Sequence, residues 1–133
     1  MKFIVTADGF LQIGARPVQC ALGRGGVTPA DAKREGDGAS PAGAWPIRRL
    51  LYRPDKGPIP RTALPVGAIS PDDGWCDAPG DADYNRPVKL PHGAGAERMW
   101  RDDDVYDLVV ALGHNDDPPV SPMGSAIFQI RRA

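Results

Sequence analysis

Long apolar runs are missing from this sequence. No stretch approaches the roughly 20 consecutive apolar residues of a membrane helix. The apolar beginning after Lys2 is broken at Thr6, Asp8 and Gln12, a pattern of neither a signal peptide nor a membrane span. Cysteine is scarce: the chain has only Cys20 and Cys76, and their separation fits neither a Cys-x-x-Cys pair nor a metal-ligand spacing. A disulfide between them would suit a secreted chain, and nothing marks this one as secreted. Charge of one sign is also missing. The 16 basic and 17 acidic residues leave a formal net charge of −1, with no electrostatic footprint for nucleic acid or an anionic membrane. No repeat, low-complexity tract, cofactor motif or metal-binding motif is present. By these absences the chain is expected to be one domain, residues 1–133, placed in the cytoplasm and free of cofactor and metal.

Glycine and proline are abundant, at 16 and 15 of 133 residues. They favour turns and short strands over long helices. Asp8-Gly9 between two apolar runs, Lys2 to Ala7 and Phe10 to Gly14, predicts a hairpin, because Gly accepts positive φ without steric cost. Val18 to Leu22 is a third strand, followed by Gly23-Arg24-Gly25-Gly26, read as a plain turn. Ala44 to Tyr52 reads as a strand, with Trp45, Ile47 and Leu51 on one face. Leu64 to Ile69 and Arg86 to Leu90 read as short extended pieces. Asp72 to Asn85 reads as a long polar loop around Trp75 and Cys76, and Ala96 to Arg101 as one helical turn. Tyr106 to Leu112 is the most apolar run and predicts a central strand ended by Gly113. Ser125 to Ile130 predicts the last strand. The expected fold class is mainly β, a sandwich or partly open barrel.

His114, Asn115 and Asp116 follow the central strand at its carboxyl end, where polar groups often form a site. His92, in Pro-His-Gly, reads as a loop surface residue. Cys76 beside Asp77 reads as a structural, partly buried thiol, and Cys20 as a packing residue. The Asp102-Asp103-Asp104 and Asp116-Asp117 clusters lack calcium-loop spacing and are read as caps and turns.

Seven segments, taken together, resemble a known family. They are Lys33-Arg34-Glu35-Gly36-Asp37-Gly38, Ser40-Pro41-Ala42-Gly43-Ala44-Trp45-Pro46-Ile47, Gly74-Trp75-Cys76-Asp77, Tyr84-Asn85-Arg86-Pro87-Val88, Arg98-Met99-Trp100-Arg101-Asp102-Asp103, Leu112-Gly113-His114-Asn115-Asp116-Asp117-Pro118 and Gly124-Ser125-Ala126-Ile127-Phe128. In that order they are similar to a small bacterial branch of the L,D-transpeptidases of the YkuD type, over residues 21–128. The resemblance implies a β-sandwich and a cysteine peptidyltransferase that cross-links peptidoglycan stem peptides at the cell envelope. His114 reads first as a histidine that hydrogen-bonds loop backbone; the alternative is that His114, Asn115 and Asp116 line the former substrate cleft. Arg34, Arg48 and Arg86 read by default as solvated or ion-paired, with contact to peptide carboxylates as the alternative.

One departure bears on mechanism. In the family the strand with Gly-Ser-Ala-Ile-Phe runs into a histidine, and a later Ser/Thr-x-Gly-Cys segment supplies the nucleophile. Here Gln129-Ile130-Arg131-Arg132-Ala133 follows Phe128, with Ile130 where the histidine is expected. Thiolate chemistry needs a nucleophile, a base and oxyanion donors. The expectation is therefore a sandwich incomplete at its C-terminus, catalytically inactive, with no catalytic residue assigned. Two alternatives are a non-catalytic peptidoglycan-binding module and a truncated remnant. An uncovered Ser125 strand with Phe128 and Ile130 on it is expected to self-associate through its edge, or to leave the protein marginally stable.

Overall fold

The computed structural model describes residues 2–130. The chain divides into two compact units, Met1–Gly43 and Ala44–Ala133. Both are built from β-strands in several small sheets, with a single 3-10 turn at Ala30–Ala32 and no α-helix among the described residues. None of their helical segments is long and apolar enough to cross a membrane.

The first unit opens with a three-stranded meander, β1 (Ile4–Thr6), β2 (Phe10–Ile13) and β3 (Arg16–Gln19). The Asp8-Gly9 signal is borne out: Thr6 pairs with Phe10, and Gly9, at φ 90°, donates its N–H to Thr6 O at 3.0 Å. The third strand begins at Arg16, two residues earlier than Val18, because a two-residue turn at Gly14-Ala15 pairs Ile13 with Arg16. The glycine cluster is a turn, closed by Gly26 N–H on Gly23 O. It also lets backbones touch. A Cβ at Gly23 would lie 2.2 Å from Gly38 O, and one at Gly25 would lie 2.7 Å from Asp37 O. This close approach aligns β4 (Val27–Thr28) in parallel with β5 (Ser40–Pro41).

Asp37 organises the turn before β5. One carboxylate oxygen accepts Lys33 Nζ at 2.5 Å and the Ala39 amide at 2.9 Å; the other accepts the Arg34 amide at 2.9 Å. The buried Lys33 ammonium first, and then the amides, hold this carboxyl well below the usual carboxylate range.

The second unit holds two sheets. A four-stranded sheet runs in the order β12 (Phe128–Ile130), β11 (Leu108–Leu112), β6 (Ile47–Tyr52), β7 (Val66–Ala68). All its pairs are antiparallel except β6 with β7. A three-stranded antiparallel sheet runs β10 (Ala96–Arg98), β8 (Asp73–Cys76), β9 (Pro87–Lys89). Side chains from both sheets meet in one core, where the Trp75 ring stands edge-on to Phe128 at 5.0 Å between centroids. Phe128 in turn meets Tyr106 at 5.9 Å. The central-strand expectation holds for β11, which pairs on both sides and buries Val109 and Ala111 completely or nearly so.

Two local expectations are corrected. Asp72 to Asn85 is not one long loop: Asp73–Cys76 is the middle strand β8, with Gly74, Trp75 and Cys76 all buried. Gly-Trp-Cys carries too short an alternation to read as a strand, and its partners β9 and β10 lie well downstream. Ala96 to Arg101 is not a helical turn. Good helix formers there lose to pairing, since three residues gain little from one helical hydrogen bond and Glu97 pairs with Trp75 instead.

The Asp37 site gives a testable pH dependence. A lowered folded-state pKa means its contribution is complete above the unfolded aspartate value of about 3.9 and fades as pH falls through the folded value. The Ala39 and Arg34 amide shifts in NMR are expected to titrate together with a midpoint well below about 3.9. Asp37→Asn is expected to cost stability above that midpoint and nothing further below it. An ordinary midpoint would remove Asp37 from this role.

Candidate functional site

A cleft of about 350 Å³ opens in the second unit beside the Trp75–Phe128 contact. Arg48, Arg49 and Arg86 line it, with Asp116 the one carboxylate in its walls among the described residues. The arginines arrive by different routes. The β6–β11 pairing is in register from Leu108 to Ala111 and then shifts: Ala111 faces Arg49, while Leu112 faces Ile47. Arg48 is thus the extra residue of a bulge, which turns its side chain out of the ladder. It reaches Asp116 through two bonds, Nε to Oδ2 at 3.0 Å and Nη2 to Oδ1 at 3.2 Å. Gly113 makes room for this pair. A Cβ there would lie 2.5 Å from Pro46 Cγ and 2.6 Å from Arg48 Nε, and the Gly113 amide bonds Pro46 O at 2.7 Å.

Arg49 lies over the Trp75 ring, its guanidinium carbon 5.5 Å from the centroid, a cation–π distance. Arg86 is exposed at the start of β9. Neither Arg49 nor Arg86 has a carboxylate partner among the described residues. Among the described residues, the cleft therefore presents two guanidiniums without a carboxylate partner and one paired one over an apolar floor.

Asn85 fixes this geometry. Its Oδ1 accepts the Trp75 indole N–H at 2.9 Å and the Ala126 amide at 3.0 Å. Its Nδ2 donates to His114 O at 3.1 Å and Asn115 O at 2.7 Å. All four bonds of a side-chain amide are made by a buried residue. The backbone at Asn85 has φ 56°, a conformation that Asn tolerates better than most residues. Strand β8, the turn after β11 and the approach to β12 are thus joined through one side chain.

The residues assigned from sequence fall in different places. Asp116 and Arg86 line the cleft. His114 is buried, its ring edge-on to Trp45 at 4.8 Å. Asn115 turns inward, donating to Val120 O and Gly124 O and accepting the Val120 amide. Arg34 belongs to the first unit, where its guanidinium bonds the carbonyls of Asp31 and Lys33. Sequence reasoning passed over Arg49, Trp75 and Asn85. The bulge that frees Arg48 and sets Arg49 over Trp75 exists only after two distant strands pair.

No family model, curated protein or solved structure matches this chain. The resemblance to the L,D-transpeptidases rests on the motifs alone. The Gly-Trp-Cys-Asp, Tyr-Asn-Arg-Pro-Val, Leu-Gly-His-Asn-Asp and Gly-Ser-Ala-Ile-Phe segments each supply walls to the same cleft.

A second group lies at the far end of β8. Cys76, fully buried, Asp81 and His92 converge there. His92 is not a loop surface residue: its side chain is 16% exposed and Nε2 lies 3.3 Å from Asp81 Oδ1. Burial pushes the Cys76 thiol up, the Ala78 amide draws it partly back, and the Asp81 and Asp77 carboxylates push it up again. Chiefly the Asp83 amide, and then His92 and Cys76, hold Asp81 below the usual carboxylate range against the cost of burial. Both cysteines are free thiols.

Asn85→Leu is expected to lower stability by about 2–5 kcal/mol in urea unfolding, since it leaves buried donors and carbonyls unpaired at about 1–3 kcal/mol each. Arg86→Ala, at an exposed neighbour, is expected to stay within about 0.5 kcal/mol of wild type. Equal effects would mean that Asn85 does not join these segments.

Proposed function

We propose that the chain is an L,D-transpeptidase-like domain whose cleft holds a carboxylate-bearing peptidoglycan stem peptide without carrying out acyl transfer. The observation that supports this is a pair of guanidiniums without a carboxylate partner among the described residues, Arg49 over the Trp75 ring and Arg86 in the wall of the same cleft. Guanidinium forks match carboxylates, and stem peptides are rich in carboxylates. The apolar floor suits the alanine methyls and aliphatic stems of such a peptide. The ion pair between Arg48 and Asp116 lies in the same wall and holds one arginine in place.

In this reading the cleft binds the peptide and performs no acyl transfer. Its walls include neither cysteine nor histidine among the described residues. Cys76 is buried and its thiol pushed up, the reverse of an activated nucleophile. Binding without turnover is the function that remains to such a cleft.

A second reading concerns partners. Strand β12 is the edge of its sheet among the described residues, and Ile130 is 37% exposed there. An open apolar edge favours pairing between copies. Sedimentation velocity is expected to show association that grows with concentration and that Ile130→Lys diminishes. A monomer at all concentrations would dismiss it.

Calorimetric titration with a purified stem tetrapeptide tests the main proposal. Binding is expected, and Arg49→Ala or Arg86→Ala is expected to weaken it about tenfold or more, as for a lost charged hydrogen bond of about 1.5–3 kcal/mol. Amidation of the peptide carboxylates is expected to have a like effect. Incubation with a carbapenem, which acylates the family's nucleophile, is expected to leave the protein mass unchanged. Failure to bind, binding indifferent to both arginines, or a stoichiometric mass increase would each overturn the proposal.

A further inference from the structure

We propose that Cys76, Asp81 and His92 form a zinc site. The three side chains come from separate pieces of the fold. Cys76 ends β8, Asp81 sits in the turn closed by Asp81 N–H on Ala78 O and Tyr84 N–H on Asp81 O, and His92 follows β9. Their ligand atoms lie within 4.8 Å of one another.

Two of the three separations match a tetrahedral edge; the third, from Cys76 Sγ to the His92 ring nitrogen, is within 4.8 Å and closes when an ion binds. Zinc bonds of about 2.3 Å to sulfur and about 2.0–2.1 Å to nitrogen or oxygen place S and O about 3.5 Å apart, and N and O about 3.3 Å apart. The structure has 3.6 Å from Cys76 Sγ to Asp81 Oδ1 and 3.3 Å from His92 Nε2 to Asp81 Oδ1. The ligand set is equally selective. A thiolate with an imidazole suits zinc, whereas magnesium and calcium prefer all-oxygen sites.

Support for the ligands is already in place. Cys76 is pinned by its amide on Arg86 O and its carbonyl under the Asn85 amide, both at 2.9 Å. The Asp83 amide donates to Asp81 Oδ1 at 2.8 Å, an outer bond that orients a ligating carboxylate. Cys76 is fully enclosed, while Asp81 and His92 are 24% and 16% exposed. An ion therefore enters from the Asp81–His92 side, and its fourth position, on that side, takes water.

Binding is balanced by one proton. The thiol S–H breaks, the sulfur lone pair forms the bond to Zn²⁺, and the proton leaves to solvent. Asp81 enters as the carboxylate and His92 as the neutral imidazole. Affinity is therefore expected to rise about tenfold per pH unit while the free thiol is protonated.

The experiment uses the full chain and Co²⁺ as a spectroscopic stand-in for Zn²⁺. One equivalent is expected to produce a thiolate-to-cobalt charge-transfer band with intense tetrahedral visible bands, and Zn²⁺ is expected to bleach both. Cys76→Ser is expected to remove the charge-transfer band, and His92→Ala and Asp81→Asn to weaken affinity by at least about tenfold. Cys20→Ser is expected to leave the spectrum unchanged. Circular dichroism establishes that each variant is folded; His92→Ala, at a partly exposed position, carries the test if Cys76→Ser is not. No charge-transfer band in the folded wild type, affinity unchanged in His92→Ala, or a band lost with Cys20→Ser would overturn the proposal. Since stem-peptide binding is read separately by calorimetry, either result leaves the other standing.

Discussion

The second unit depends on the side-chain amide of Asn85. A buried amide must make its bonds inside the protein, and each unmade one costs about 1–3 kcal/mol. Asn85 makes four, to the Trp75 indole, the Ala126 amide and the carbonyls of His114 and Asn115. These groups belong to segments far apart in the chain. The amide therefore sets the position of the Trp75 ring, and with it the floor of the cleft and the perch of Arg49. Tyr84, the preceding residue, extends the same junction by accepting the Gly124 amide at 3.0 Å.

Around that junction the two ends of β8 do different work. One side of the strand turns Trp75 toward Phe128 and the arginines. Its last residue turns Cys76 away from the cleft and toward Asp81 and His92. This alternation follows from the two-residue period of a strand. A larger hollow of about 520 Å³ lies beside Arg53 and Ile59. The Arg53 guanidinium there is already held by Asp55 and by Arg101 O, and it stacks on Trp100 at 3.8 Å. The Trp75–Phe128 floor distinguishes the arginine cleft from this hollow, whose cations Lys56 and Arg61 share its wall with Asp104 and Asp107.

The parts legible in the sequence are those governed by neighbours along the chain. Asp8-Gly9 made its turn because glycine accepts positive φ, and Tyr106 to Leu112 contained β11 because its apolar, β-branched run has no stable alternative to burial. Gly113 ended that strand for a reason the sequence left unseen, the contact of its α-carbon face with Pro46 and Arg48. Asp103 behaves as the turn residue it was read to be, taking Arg101 and the Val105 amide. Strand β8 was illegible because its identity comes from β9 and β10. Asp81 was illegible as a partner for Cys76 and His92 because a turn, a strand and a loop had to converge before the three could meet.

By itself, then, the sequence determined a turn-rich, mainly β chain, its hairpin, its central strand and the absence of a long apolar helix. It also carried the motif order that resembles the L,D-transpeptidases. Which of those motif residues face a common cleft was decided only by tertiary structure. The same Leu-Gly-His-Asn-Asp segment sends Asp116 to the cleft, His114 under Trp45 and Asn115 into its own loop. The physical reason is that side-chain direction in strands and turns is fixed by long-range pairing and by the bonds of buried polar groups. A bulge at Arg48 or an amide at Asn85 redirects several residues at once, and neither acts until strands distant in sequence have met.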